Sequence, residues 1–247
     1  VLVPTRELAH QVETEFLKIG QHLDLTTTTI IGGASAYRQI ELCNRGAQIV
    51  VATPGRMLDL LQNRRLQKFS PHFVVLDEAD EMLDMGFIED IKDILKFLPD
   101  KKQIALFSAT LPKPIMRLVQ KEFTEPVHVK TPDSGKRNLD IEEQLYVTKP
   151  KEKEAALVRL IQAETPEKAI VFCRTKMETD LTCEKLLKAG FIAQSLHGDM
   201  NQASRTQVMK KFKTGHFKLL VATDVAARGL DVQDLSHVFN FAIPDNK

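Results

Sequence analysis

Tryptophan is missing from this 247-residue sequence and tyrosine occurs only twice. Recognition of nucleobases by stacking on large aromatic rings therefore has little support. Three cysteines, Cys43, Cys173 and Cys183, are odd in number and widely spaced, and no Cys-x-x-Cys pair occurs. That argues against a disulfide framework or a zinc site and suits a reducing cytoplasm. No run of eighteen apolar residues is present, so no membrane span is expected. The opening "VLVPTRELAH" lacks the basic leader and small-residue cleavage site of a secretory signal. Neither sign of charge prevails: 34 Lys and Arg face 33 Asp and Glu, a net charge of +1. A protein that coats nucleic acid often carries a basic excess. Here any nucleic-acid site must come from local placement of Arg and Lys, and contact should run through the backbone.

Apolar residues make up 43% and charged residues 27%, ordinary for a soluble globular protein. The length exceeds what one hydrophobic core usually organises, which favours two domains. Short apolar runs recur, each ending in small polar or acidic residues: "VLVPT", "TTIIGG", "IVVATPG", "FVVLDEAD", "IALFSAT", "AIVFCRT", "AQSLHGD" and "LLVATD". Amphipathic helical segments separate them. Continuous Val/Ile/Leu runs alternating with helices predict an α/β fold, a mainly parallel sheet covered on both faces. Ligands of such sheets bind beyond the carboxyl ends of the strands, where these Thr, Ser, Asp and Gly residues gather.

Helices are predicted from Thr5 to Gly20, with Leu8, Val12, Phe16 and Ile19 on one face, Thr5 as N-cap and Gly20 as the C′ stop. Another runs from Lys176 to Gly190, with Leu181, Leu186 and Leu187 on its apolar side. A third runs from Gln202 to Gly215, with Val208 and Phe212 inward and Lys210, Lys211 and Lys213 outward. The stretch "KTPDSGKRNLDIEEQ" breaks the rhythm and reads as a linker, with a boundary near Ser134. An echo crosses that boundary. A strand ending in Thr, one ending in Gly and one ending in Ala-Thr follow in the same order in each half, which predicts two similar lobes.

Four acids stand at the mouth of the strand in "HFVVLDEADEML". Burying carboxylates is costly unless something pairs with or coordinates them. Asp77 followed by Glu78 is how a nucleotide hydrolase orients hydrated Mg²⁺ and polarises an attacking water. The acids equally suit the first turn of the next helix, where negative charge complements the dipole. Ser108 and Thr110, in "SAT", offer two hydroxyls to an acid at a neighbouring strand end, with Asp80 the obvious partner; alternatively, either caps a following helix. "PTRELA", "IGGAS" and "ATPGR" each place Gly or Thr at a helix start, with Arg6 and Arg56 beside two of them. Helix N-termini and Gly-rich turns bind phosphate without reading sequence, and Arg adds bidentate bonds. In the second half Arg174, Lys176, Arg205 and Arg228 are the candidate phosphate or nucleotide contacts.

Together these residues resemble the DEAD-box ATP-dependent RNA helicases of superfamily 2. "DEAD" stands at 77 to 80, with "PTRELA", the Gly32-Gly33 pair, "TPGR" and "SAT" in the family's order. "VFCRT", "LHGDMNQASR" and "ATDVAARGLDV" follow in its order in the second half. The resemblance covers essentially the whole chain, and "DEADEMLDMGF" is most similar to bacterial members with a general RNA-remodelling role. It implies two RecA-like domains, residues 1–133 and 145–247, joined by a linker at 134–144, that close on ATP and RNA. Asp77 would orient Mg²⁺ through water and Glu78 would activate the hydrolytic water. Asp80, Ser108 and Thr110 would couple hydrolysis to closure. Pro4, Thr5, Arg6, Gly32, Gly33, Thr53, Gly55 and Arg56 would line the RNA backbone from the first lobe. Arg174, Thr175, Gly198, Gln202, Arg205 and Thr223 would line it from the second. Arg228, Gly229 and Asp231 would reach the nucleotide. The implied partner is single-stranded or short duplex RNA, in the cytoplasm and without a membrane.

Two family features are not found. No G-x-x-x-x-G-K-[ST] phosphate loop occurs, nor does the His-Arg-x-Gly-Arg-x-Gly-Arg stretch that supplies an arginine finger. Both domains therefore read as truncated, and the chain as given is expected to be hydrolysis-deficient. The alternative reading is a non-catalytic RNA- or partner-binding module that keeps the fold. Intact Asp77, Glu78, Ser108 and Thr110 favour the enzyme, because a pure binder needs none of them.

Overall fold

The computed structural model describes residues 1–66, 69–131, 141–227, 232 and 234–242. The chain divides into two compact units, Val1–His128 and Val129–Lys247. The boundary expected near Ser134 lies outside the described residues.

The first unit contains helix α1 (Arg6–Ile19), strand β1 (Thr27–Ile30), α2 (Ala36–Asn44), β2 (Ile49–Ala52), α3 (Pro54–Gln62), β3 (Phe73–Leu76), α4 (Ala79–Asp84), α5 (Ile88–Phe97), β4 (Gln103–Leu106) and α6 (Lys113–Glu122). Strands β1 and β2 pair in parallel, as do β3 and β4. Residues 1–3 join the two pairs. Leu2 bridges both Ala52 and Leu76. Its N–H donates to Val75 O at 2.7 Å, and its carbonyl accepts from Asp77 N–H at 3.0 Å.

Strand alternation sends neighbours to opposite faces. Leu2, Ile30, Ala52 and Leu76 pack in the larger core with Met57, Ile91, Ile94 and Ile115. Val3, Ile31 and Val51 face the other way, against Ala9, Leu8, Val12 and Phe16 of α1. Each fully buried aliphatic side chain contributes about 1.5–3 kcal/mol. Two details of α1 differ from expectation. Ile19 is exposed, because it lies past the end of the sheet-facing stripe. Gly20 ends the helix with φ −88°, not with the left-handed angle usual for a glycine stop. It is small for another reason: a Cβ there would sit 2.4 Å from Leu25 Cδ1 and 3.0 Å from Phe16 O.

The second unit contains α7 (Lys153–Glu164), β5 (Ala169–Cys173), α8 (Lys176–Lys188), β6 (Ala193–Leu196), α9 (Gln202–Lys213), β7 (Leu219–Thr223), α10 (Asp224–Ala227) and β8 (His237–Asn240). Its four strands run parallel in the order β6-β7-β5-β8. Ala169, Val171, Cys173, Leu219 and Val221 face Leu157, Ile161 and Leu186. Ile170, Leu220 and Ala222 face Met209, Phe212 and Phe217. Val208 is partly buried and Phe212 fully buried, as expected of α9. The apolar face expected of α8 is only partly right. Leu186 is buried, but Leu181 and Leu187 are each 50% exposed, and Thr179, Thr182 and Cys183 take the inward positions. Gly190 ends α8's turn at φ +90°. All three cysteines are free and buried, with burial raising the Cys173 and Cys183 thiols to about 11. Among the described residues no helix is long and apolar enough to cross a membrane.

Candidate functional site

Strand β3 ends at Leu76, and its four acids occupy a strained elbow. Glu78 adopts φ 51°, ψ 53°, a left-handed conformation that costs a residue with a Cβ about 1–2 kcal/mol. The elbow is held from both sides. Glu78 N–H donates to Asp77 Oδ1 at 3.0 Å. Phe107 N–H donates to Leu76 O at 2.8 Å, and Ala79 N–H to Phe107 O at 3.1 Å. The β3–β4 pairing thus continues past the strand ends into the first residue of α4.

Asp80, next on α4, is fixed by the "SAT" segment. Its N–H donates to Ser108 Oγ at 3.1 Å. Its Oδ2 accepts both the Thr110 N–H and the Thr110 hydroxyl, each at 2.9 Å. Ser108 Oγ in turn donates to Thr110 O at 2.6 Å. Helix α6 has Pro112 at its N-cap, without a side-chain capping bond. Ser108 and Thr110 therefore serve Asp80, in the first turn of α4, rather than the start of α6.

These surroundings push the two carboxyls apart. Burial raises the Glu78 pKa, and the neighbouring charges of Asp77, Glu81 and Asp80 add to the rise. Burial acts to raise Asp80 too, but the hydrogen bonds from Thr110 and Ser108 outweigh it and hold Asp80 below its ordinary value. The proton is thus easier to place on Glu78 and harder to place on Asp80 than on an ordinary carboxylate. That split is how acid–base roles are assigned within a carboxylate cluster.

A second cluster forms where residues 1–3, β1 and β2 end. Thr5 caps α1, its Oγ1 accepting from Leu8 N–H at 3.2 Å. Gly33 turns the chain at φ +79°. Arg6 lies against Gly32 so closely that a Cβ there would be 3.1 Å from Arg6 Nη2. Arg56 reaches back from α3. Its Nε donates to Ile31 O, its Nη2 to Ala34 O and its Nη1 to Asp59 Oδ2, all at 3.3 Å. Pro4, Thr5 and Thr53 are buried, whereas Gly33 and Gly55 are exposed and Arg6, Gly32 and Arg56 partly so. The three first-lobe motifs are thus brought together, with Gly33 and Gly55 outermost. Sequence reasoning missed Gln39 on α2, which is buried and donates from Nε2 to Ile31 O at 2.9 Å. Its only sequence signal was a Gln on a helix of low apolar content.

In the second unit Thr175 caps α8, accepting from Glu178 N–H at 3.1 Å, while Glu178 Oε2 accepts from Arg174 N–H at 2.7 Å. The loop after β6 is tied to α8 twice: His197 Nε2 lies 3.1 Å from Asp180 Oδ1, and Lys176 pairs with Asp199 at 2.6 Å. Gly198, between these ties, has open space where a Cβ would stand. Asn201 caps α9, accepting from Ser204 N–H at 2.9 Å. On the same helix as Gln202, Arg205 donates from Nη2 to Ala226 O at 3.4 Å. Thr223 Oγ1 accepts from Ala226 N–H at 3.3 Å. Arg174, Thr175, Gly198, Gln202 and Arg205 therefore sit beyond the carboxyl ends of β5 and β6, and Thr223 is the last residue of β7. Arg228, Gly229 and Asp231 lie outside the described residues. Among the described residues no three His, Cys, Asp or Glu side chains converge as metal ligands.

Comparison with known proteins identifies the family. Residues 1–118 match the DEAD/DEAH box helicase family and residues 152–247 the helicase conserved C-terminal domain. The DEAD-box ATP-dependent RNA helicase RhpA of Helicobacter pylori is 46% identical over all of this chain, which spans 50% of RhpA's length. Among solved structures, Saccharomyces cerevisiae Dbp5 bound to RNA and ADP BeF3 superimposes with TM-score 0.83 at 30% identity, over 98% of this chain and 62% of that one. A hypothetical ATP-dependent RNA helicase from Sulfolobus tokodaii is similar at 31% identity, over 99% of this chain and 71% of that one, with TM-score 0.50. The chain belongs to the DEAD/DEAH box helicase family, as two α/β RecA-like units built on parallel sheets.

Proposed function

We propose that the protein this chain represents is an RNA-dependent ATPase that unwinds or remodels RNA locally, acting in the cytoplasm. In this reading residues 1–133 and 145–247 are its two RecA-like domains and 134–144 the linker. The carrying observation is the Asp80 carboxylate, latched by Thr110 N–H and hydroxyl and adjoining the strained Glu78. A fold kept only for binding needs neither the strain nor the latch. The name of RhpA and the RNA and ADP BeF3 bound to Dbp5 support the same reading.

Mg²⁺ fits the donor set. It keeps several waters and uses one or two carboxylates, and the negative charge of Asp77, Glu81 and Asp80, which adds to the effect of burial on Glu78, is what a cation relieves. Asp77 would hold it through water. ATP, when bound with Mg²⁺, supplies the phosphoanhydride bond that is hydrolysed. Glu78 accepts a proton from water at its carboxylate. Asp80, Ser108 and Thr110 carry a shift of the elbow into β4. The turns at Gly33 and Gly55, with Thr5, Arg6, Thr53 and Arg56 behind them, hold single-stranded or short duplex RNA by its backbone. Arg174, Thr175, Gly198, Gln202, Arg205 and Thr223 do so in the second unit. Arg228, Gly229 and Asp231 contact the nucleotide.

The test is RNA-stimulated ATP hydrolysis by the full-length protein and its Glu78→Gln variant. Turnover that needs RNA and disappears in the variant, with RNA binding retained, is expected. Turnover surviving in the variant removes Glu78 as the base. RNA binding without any turnover in the unmodified protein identifies a non-catalytic binder instead.

A further inference from the structure

We infer that Gln39 is a positioning residue for RNA binding, holding the Gly32-Gly33 turn from beneath without touching RNA. The inference rests on the RNA-binding reading above. Gln39 is 6% exposed and sits in the first turn of α2, the helix that follows the glycine turn. The atom it holds is the carbonyl of Ile31, the last buried residue before that turn. Pairing of β1 with β2 ends at Ile30 opposite Ala52, so Ile31 O has left the ladder while Ile31 itself is still only 2% exposed. A buried carbonyl outside a ladder needs other donors. Gln39 Nε2 supplies one at 2.9 Å and Arg56 Nε a second at 3.3 Å.

The rest of the side chain shows what this contact is for. Gln39 Oε1 is buried and has no hydrogen-bond partner among the described residues. An orphaned buried acceptor is destabilising and offsets what the bond to Ile31 O contributes, so stability alone is a weak account of a Gln at this position. What Gln39 secures is the position of Ile31 O, immediately before Gly32 and the exposed Gly33 at φ +79°. With that carbonyl pinned, the backbone N–H groups of the turn keep the direction that lets them meet a phosphate. Gln39 is uncharged and buried, so it acts through the turn.

The test measures binding of a labelled single-stranded oligoribonucleotide to the full-length protein and to Gln39→Met and Gln39→Asn. The first variant keeps the volume and removes the donor; the second keeps the amide and shortens its reach. RNA-stimulated ATP hydrolysis is followed in parallel. Both variants should bind RNA about tenfold more weakly. The RNA concentration for half-maximal stimulation should rise equally, with kcat at saturating RNA within about twofold of the unmodified protein. If either folded variant binds RNA as the unmodified protein does, the positioning role is overturned. A fall in kcat without a change in RNA affinity overturns it as well. Absence of RNA binding by the unmodified protein is a different result, and overturns the RNA-binding reading itself.

Discussion

Thr110 turns both its backbone N–H and its hydroxyl onto one oxygen of Asp80, Oδ2, at 2.9 Å each. Asp80 stands in the first turn of α4, and Thr110 lies beyond the end of β4. The pair therefore clamps a helix start to the end of the neighbouring strand, close to the proposed base, Glu78. Because the β3–β4 pairing also runs on through Phe107 to Ala79, the elbow cannot shift without carrying the "SAT" segment along. Coupling here has a definite physical content: two bonds from one residue to one carboxylate, next to a strained backbone.

Replacing Thr110 by Val removes the hydroxyl bond and leaves the N–H bond. The expected loss is about 0.5–1.5 kcal/mol at neutral pH, at the low end because Thr110 is exposed. Asp80's pKa is lowered in the folded state, so its bonds stabilise above the ordinary carboxylate pKa and are lost as pH falls through the folded value. Urea unfolding of the two proteins should thus show a gap at neutral pH that closes in acid. A gap that persists unchanged in acid would assign the loss to packing instead.

Glu78 has the opposite sign. Its folded pKa is raised, first by burial and then by Asp77, Glu81 and Asp80, so its ionised form costs stability once pH exceeds the folded value. Glu78→Gln should be the more stable protein at neutral pH, with the difference vanishing below the unfolded carboxylate pKa. Glu81→Gln removes one of the charges raising Glu78 and should narrow that stability difference. A difference left unchanged in the Glu81→Gln background means that the Glu81 charge does not act on Glu78.

Local chemistry is the legible part of this molecule. Thr5 and Thr175 read as matching strand-end residues in two lobes, and their backbones agree: φ −125°, ψ 157° and φ −124°, ψ 156°, each accepting from the N–H three residues on. A Thr before a helix carries its own instruction, so sequence suffices. What sequence does not show depends on neighbours distant along the chain. The inward side of α8 is set by the sheet it covers, which chooses Thr179, Thr182 and Cys183 over Leu181 and Leu187. The left-handed Glu78 is held by β4. Strand β8, with its exposed Val238, is too short and mixed in pattern to stand out. Arg56 reads as a phosphate contact from its Gly-Arg setting, and only the fold shows its bonds to Ile31 O and Ala34 O.

Those bonds separate charge from shape at Arg56. A lysine there keeps the positive charge but has no planar fork with which to hold two carbonyls and Asp59 at once. Arg56→Lys should therefore lose nearly as much RNA affinity as Arg56→Ala, about tenfold or less for either. Binding titrations over a range of salt concentrations check this. If Arg56→Lys binds as the unmodified protein does, charge alone is what the position supplies.

The adjacent glycines should fail in different ways. Gly33 has φ +79°, so Gly33→Ala forces a Cβ into a left-handed turn and should destabilise the first unit by about 1 kcal/mol or more. At Gly32 the new Cβ would meet Arg6 Nη2 at 3.1 Å, Cζ at 3.6 Å and Nε at 3.7 Å. Those atoms are the far end of a flexible side chain, which can yield by a few tenths of an ångström. Gly32→Ala should accordingly leave unfolding within about 0.5 kcal/mol of the unmodified protein while displacing Arg6 and weakening RNA binding. Urea unfolding and RNA titration of both variants decide it. A stability loss at Gly32 as large as that at Gly33 would show that Arg6 is fixed in place and that the turn, not the arginine, must give way.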